Sequence, residues 1–235
     1  MFPKNNRSAW LYFEYRGTAR VSPQGAAATA PCFSQSHVLK KTVIQIKNQY
    51  LPPGFKMIPV RTVYLEMTRP PLTKQPKPPP WCIVRRWRRP PLRSYRSLFA
   101  AVGGKWGWSG RLIMSDLELR KTIQAETTEV FKLKWNSETA GFVELDRRGP
   151  GGTEITYFGL LPEFIGRGLG KFLLDWAIHR AWRARPSLVW LHTCEHDHPG
   201  AMAIYLKAGF QVFDEKVEMH PYPEDFLQKS KPAGG

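Results

Sequence analysis

Along the chain the apolar positions change period several times, and each change marks an element. In "IPVRTVYLEM" Val63, Leu65 and Met67 alternate with Thr62, Tyr64 and Glu66, the period of a half-buried strand. The prolines of "RPPLTKQPKPPP" cannot donate to a ladder and predict an extended connector, after which "WCIVRRW" reads as a second strand. "PPLRSYRSLFAAVGG" places Leu92, Tyr95, Leu98, Phe99 and Val102 at helical spacing before a glycine stop. Ser115, three residues before Glu118, forms a capping-box pattern and predicts a second helix. Three strands follow, over 129–135, 140–146 and 153–161; short turn-like joints between them predict an antiparallel meander.

The order then changes. A helix is predicted over 168–183, with Leu169, Phe172, Leu173, Trp176, Ala177 and Ile178 forming a broad apolar face. "SLVWLHT" reads as a strand, "HPGAMAIYLKAGF" as a helix stopped by Gly209, and "QVFDEKVEM" as a last strand. These elements predict one α/β domain over 57–220. Residues 1–56, without sustained periodicity, read as a poorly ordered basic extension, and 221–235 as a loose tail.

Charge changes this picture only at one end. The net charge is +16, yet Lys and Arg outnumber Asp and Glu by 19 to 2 over residues 1–105 and stand at 16 to 17 over 106–235. A basic front is compatible with an anionic surface, but no recognisable nucleic-acid motif accompanies it, and a nucleic-acid partner is not expected. The three cysteines, Cys32, Cys82 and Cys194, are odd in number and far apart, which suits a reducing compartment. No apolar run approaches the roughly 20 residues of a spanning helix, so the expectation is a cytoplasmic protein without a membrane partner.

Chemistry concentrates in "LLPEFIGRGLGKFLL". Gly166, Gly168 and Gly170 sit between a strand and a helix, where free amide donors and the positive end of the helix dipole meet. Such a point binds anionic phosphate. A P-loop is excluded because Lys171 is followed by Phe172, and a dinucleotide fold is disfavoured by the preceding meander.

This segment, the order of elements and the later "AMAIYLKAGF" together resemble the GNAT superfamily of acyl-CoA-dependent N-acetyltransferases. The resemblance covers about 64–219 and implies a mixed, mostly antiparallel sheet flanked by helices. It also implies acetyl-CoA as cosubstrate, no metal, and direct attack by a primary amine in a ternary complex. The acceptor would be a small molecule or a peptide, and a homodimer is compatible. The family signature falls on 165–170: Gly168 and Gly170 match, whereas Ile165 replaces the usual Arg or Gln. Cofactor contacts are thereby implied for Leu160, Leu161, Ile165, Gly166, Arg167, Gly168, Gly170 and Lys171. His198 would also face the coenzyme, where the family often carries Asn.

The resemblance further implies Tyr205 as the general acid toward the departing thiolate, and amides near Leu160 and Leu161 as stabilisers of the oxyanion. Glu154 is the expected base, with His192 as the alternative. Trp106 and Trp108, beside Arg111, would form the acceptor wall, and Tyr157 and His192 would line its channel. Two other readings compete. His192, Cys194, His196 and His198 alternate as zinc-ligand types, but on a straight strand they would spread over about 20 Å, too far to converge. Arg85, Arg86, Arg88 and Arg89, flanked by Trp81 and Trp87, would suit a nucleic-acid or anionic-surface module.

Overall fold

The computed structural model describes residues 51–149 and 152–229, and all structural statements refer to these. The elements run β1 (Phe55–Met67), β2 (Cys82–Arg86), α1 (Leu92–Gly103), α2 (Asp116–Ile123), β3 (Thr128–Trp135), β4 (Glu138–Asp146) and β5 (Gly152–Leu160). They continue with α3 (Leu169–Trp182), β6 (Leu188–Cys194), α4 (Ala201–Lys207), β7 (Gln211–Pro223) and α5 (Glu224–Lys229). Among the described residues the strands form one sheet in the order β2-β3-β4-β5-β6-β1-β7. Every neighbouring pair is antiparallel except β5 and β6.

The two faces are covered by different helices because each strand alternates. Val63, Leu65 and Met67 of β1 join Leu191 of β6, Leu173 and Ala177 of α3, and Tyr205 of α4 in one core. On the other face Tyr95 and Phe99 of α1 and Leu119 and Ile123 of α2 pack on Val130 and Phe142. Helix α2 starts as its sequence predicts: the Glu118 N–H donates to Ser115 Oγ, and the Ser115 N–H donates back to the Glu118 carboxylate at 3.0 Å. Beneath α1, Glu144 is fully buried. It accepts from Arg111 Nη2 and from Tyr95 Oη, each at 2.5 Å, and so ties the segment before α2 to the sheet.

The position of β1 is not readable from periodicity. The first described strand lies between β6 and β7, pairing Tyr64 with His192 on one side and with Asp214 on the other. Pro59 stands beyond the last β6 pair, where β1 has a single neighbour and a missing donor is tolerated.

Both outer boundaries of the domain differ from the sequence expectation. Phe55 and Lys56, assigned to the extension, already pair with Pro223 and Tyr222, while residues 1–50 lie outside the described residues. Residues 221–229, assigned to a loose tail, complete β7 and form α5, because Tyr222 is buried against His196 and Phe226. No helix among the described residues is long and apolar enough to cross a membrane.

Candidate active site

Strands β5 and β6 are in register only from Gly152↔Leu188 to Glu154↔Trp190. Beyond that point they diverge. On the β4 side, register slips between the Glu144↔Tyr157 and Leu145↔Ile155 pairs, which leaves Thr156 as the extra residue of a bulge. Bulges bend the strand that carries them, so this one sits where β5 must turn away from β6. The gap opens a cavity of about 470 Å³.

One end of that cavity is the glycine turn. Gly166 (φ +83°) and Gly168 (φ +75°) adopt left-handed backbone that side-chain-bearing residues seldom take, and a Cβ at either would meet nothing within 4 Å. Their lack of side chains therefore leaves open space above the backbone. No side chain caps α3, and its first intrahelical bond runs from the Phe172 N–H to the Gly168 carbonyl, so the amides of Leu169, Gly170 and Lys171 precede the ladder. Ile165, Gly166, Gly168, Gly170, Lys171 and Leu160 all line the cavity. Lys171 also pairs with Asp175 at 2.5 Å, whereas Arg167 is outside the lining and lies over the Phe164 ring.

Leu160 and Leu161 separate in an informative way. The Leu161 N–H donates to the Ala140 carbonyl at 2.9 Å and is spent within the sheet, which corrects its assignment as an oxyanion donor. With Gly141↔Leu160 as the wide pair that this bond implies, the Leu160 N–H turns to the opposite edge of β5, into the gap.

The other end gathers side chains. Trp106, Trp108, Tyr157, His192, His198 and Tyr205 all line the cavity, His198 beside Trp106 at this end. Trp108 donates to Asp197 at 3.0 Å, and Trp106 meets the His198 ring edge-on at 5.1 Å. Tyr157 packs on Phe99 and under the Arg111 guanidinium, and burial pushes its hydroxyl up to about 12. Arg111, committed to Glu144, holds the wall rather than facing the cavity. Tyr205 is buried between Phe158 and Phe210, and its hydroxyl has no hydrogen-bond partner among the described residues. Burial, with the Asp197 charge, raises that hydroxyl well above the ordinary phenol range, which keeps it protonated.

Glu154 does not line the cavity. It lies behind His192, with Oε1 3.5 Å from Nδ1. Withdrawal from water disfavours the charged imidazole, but hydrogen bonding and charge from Glu154, with the charges of Asp197 and Glu218, prevail and raise the His192 pKa. The carboxylate therefore makes the imidazole more basic and does not itself reach the cavity. Of the alternating zinc-ligand types, His196 turns away to meet Tyr222 edge-on, Gly200 donates to His198 Nδ1, and no group of three candidate ligands converges among the described residues.

Sequence reasoning missed Thr62, His220 and Tyr222, which also line the cavity together with Cys194. Thr62 comes from β1, and His220 and Tyr222 from the far end of β7. Their signal was present only as polar positions on alternating strands.

The family model for the Acetyltransferase (GNAT) family matches residues 93–210. The chain belongs to that family. An uncharacterized N-acetyltransferase from the pepI 3′ region of Lactobacillus delbrueckii subsp. lactis is 34% identical over 92 residues, covering 36% of this chain and 53% of the relative. Among solved structures, a GCN5-related N-acetyltransferase from Sphaerobacter thermophilus superposes with a TM-score of 0.52 at 19% identity, covering 72% of this chain and 52% of the other. A putative GNAT-family acetyltransferase from Novosphingobium aromaticivorans gives 0.50 at 16% identity, with 78% and 70% covered. At these identities the structural likeness speaks for the fold, and the chain spans about half the length of the curated relative.

Proposed function

We propose that the protein transfers an acetyl group from acetyl-CoA to a primary amine by direct attack in a ternary complex. One observation carries this reading: a single cavity joins the open amides of the glycine turn to His192 and to the unpartnered Tyr205 hydroxyl. The residues fit the coenzyme, since the space over Gly166 and Gly168 is clear and the amides there suit a pyrophosphate.

Each residue then has one task. The amides of 168–171 hold the phosphates, and the Leu160 N–H stabilises charge that develops on the thioester oxygen. His192 takes a proton from the acceptor ammonium, with Glu154 favouring the protonated imidazole that results. The freed amine lone pair forms the C–N bond as the C–S bond breaks. Tyr205 gives its proton to the departing thiolate and is restored by the second proton, which the new amide nitrogen sheds, while His192 passes the first to solvent. Membership of the GNAT family supports acyl transfer.

The test is thiol release from acetyl-CoA against a broad panel of amines. The expected result is release that depends on both substrates. If acetyl-CoA binds but no amine in the panel raises thiol release above hydrolysis, the reading fails.

A further inference from the structure

The acceptor end of the cavity has a chemistry that its family match does not explain, because much of it is built from outside residues 93–210. His220 of β7 faces the cavity, and its Nε2 lies 3.3 Å from Thr62 Oγ1 and 3.8 Å from Glu218 Oε2. Tyr64 Oη donates to the same Glu218 oxygen at 2.5 Å. The Tyr64 ring in turn lies 5.7 Å from the His192 ring. Two histidine–carboxylate pairs, His192 with Glu154 and His220 with Glu218, thus open on one cavity and are bridged by Tyr64.

Exposure tells which partner meets the ligand. Both imidazoles are 36% exposed, while Glu154 and Glu218 keep only 18% and 13% behind them. Glu218 is held ionised: burial opposes this, but hydrogen bonds from His220 and Tyr64, with the charge of Lys216, prevail. With both contacts on Nε2, the Nδ1 of His220 has no partner among the described residues, and in the neutral tautomer that donates from Nε2 it is an acceptor.

No Lys or Arg lines this end among the described residues. Lys171 is the one Lys or Arg among the described lining residues, and it stands at the glycine turn. Outside the lining, Lys216 pairs with Asp214 at 2.7 Å, Arg111 with Glu144 and Arg148 with Asp146, while Lys105 lies over the Trp106 ring. Asp197 is the one carboxylate among the described lining residues, and Glu154 and Glu218 stand half-buried behind the two imidazoles, so an acceptor bearing a carboxylate or phosphate would meet like charge here, whereas a partly desolvated ammonium would find its counter-charge.

Resting on the acetyl-transfer reading, we infer that the acceptor is a diamine, one amino group presented to His192 and the second, still charged, held at the His220–Glu218–Tyr64 cluster. The second ammonium donates to His220 Nδ1 and is balanced by Glu218. A hydrogen bond to a charged group contributes about 1.5–3 kcal/mol, a preference of roughly 10-fold to 100-fold.

The experiment compares three acceptors of equal chain length: a diaminoalkane, the corresponding alkylamine and the ω-amino acid. Thiol release from acetyl-CoA should give kcat/KM at least about tenfold higher for the diamine than for the alkylamine, with the amino acid lowest. Glu218→Gln should collapse the diamine-to-alkylamine ratio toward unity. Thr62→Val, which removes the hydroxyl beside His220, provides a second reading should the first variant misfold. Equal kcat/KM for diamine and alkylamine, or an amino acid that outperforms both, overturns the inference and leaves amine acetylation standing. If none of the three releases thiol, acetyl transfer is what fails for them. Calorimetric binding of the diamine to the CoA-loaded protein then decides the subsite, with binding upholding it and its absence ending it.

Discussion

The two ends of the cavity are built on opposite plans. The glycine-turn end comes from one continuous run, Leu160 to Lys171, and presents backbone. The acceptor end is assembled from β1, β5, β6, β7 and α4, and presents side chains whose charges are set by partners behind them. A backbone site tolerates drift in side chains, as Ile165 in place of the family's Arg or Gln illustrates. A side-chain site can be retuned by single substitutions. The difference suggests where a shared cosubstrate is held and where an individual acceptor is chosen.

The largest effect that would break this comparison is at Tyr205. Tyr205→Phe removes the unpartnered hydroxyl and keeps the ring between Phe158 and Phe210. We expect kcat to fall by about 10²-fold to 10⁴-fold with acetyl-CoA affinity little changed. Steady-state and single-turnover kinetics would reveal it, and parent-like turnover with chemistry rate-limiting would remove Tyr205 from the mechanism.

Next in size is the support of the acceptor wall. Glu144→Ala leaves the buried Arg111 without its counter-charge and the Tyr95 hydroxyl without its acceptor. Breaking such a pair costs about 3–5 kcal/mol, which a denaturant titration would register. A loss under 1 kcal/mol, on the scale of an exposed pair, would mean that the wall does not depend on this network.

Gly168→Glu addresses the backbone end. Left-handed φ costs a side-chain-bearing residue about 1–2 kcal/mol, and the added carboxylate would stand over the phosphate amides. Acetyl-CoA affinity should weaken by at least about tenfold, since each 1.4 kcal/mol is a factor of ten. Unchanged affinity by calorimetry, in a folded variant, would move the pyrophosphate elsewhere.

The smallest effect sharpens the side-chain end. His192 must be neutral to act as base and its pKa is raised, so kcat/KM should decline as pH falls through a value above the ordinary 6.5 or so. Glu154→Gln removes the main raising influence, and the acidic limb should move to lower pH. A limb that stays in place in the pH–rate profile would separate Glu154 from the base.

Legibility in the sequence follows the same division. The glycine turn, the α2 capping box and the β3–β5 meander were readable because each depends on neighbours in the chain. Trp106, Trp108, Tyr157, His192 and Tyr205 were named from the family resemblance, and all reach the cavity. Leu161 was misassigned because one hydrogen bond to Ala140, set by sheet register, decides which of two adjacent amides is free. Glu154 was placed one layer too far forward because alternation gives the face of a strand but not what stands in front of it. Thr62, Tyr64, Glu218 and His220 went unnoticed because nothing local predicts that the first described strand lies beside the last.

That placement also governs how the chain reaches its fold. Met67 pairs with Val189 and Phe55 with Pro223, so no rung of the β1 ladder can form until nearly the whole domain has left the ribosome. Through most of synthesis a strand carrying Val63, Leu65 and Met67 waits unpaired, with its apolar face uncovered. Contacts so distant in sequence make for slow closure and exposure to aggregation. The end of the cavity that needs β1 and β7 together is therefore the last part to exist, and the nascent domain can display a finished glycine turn before the opposite wall has closed.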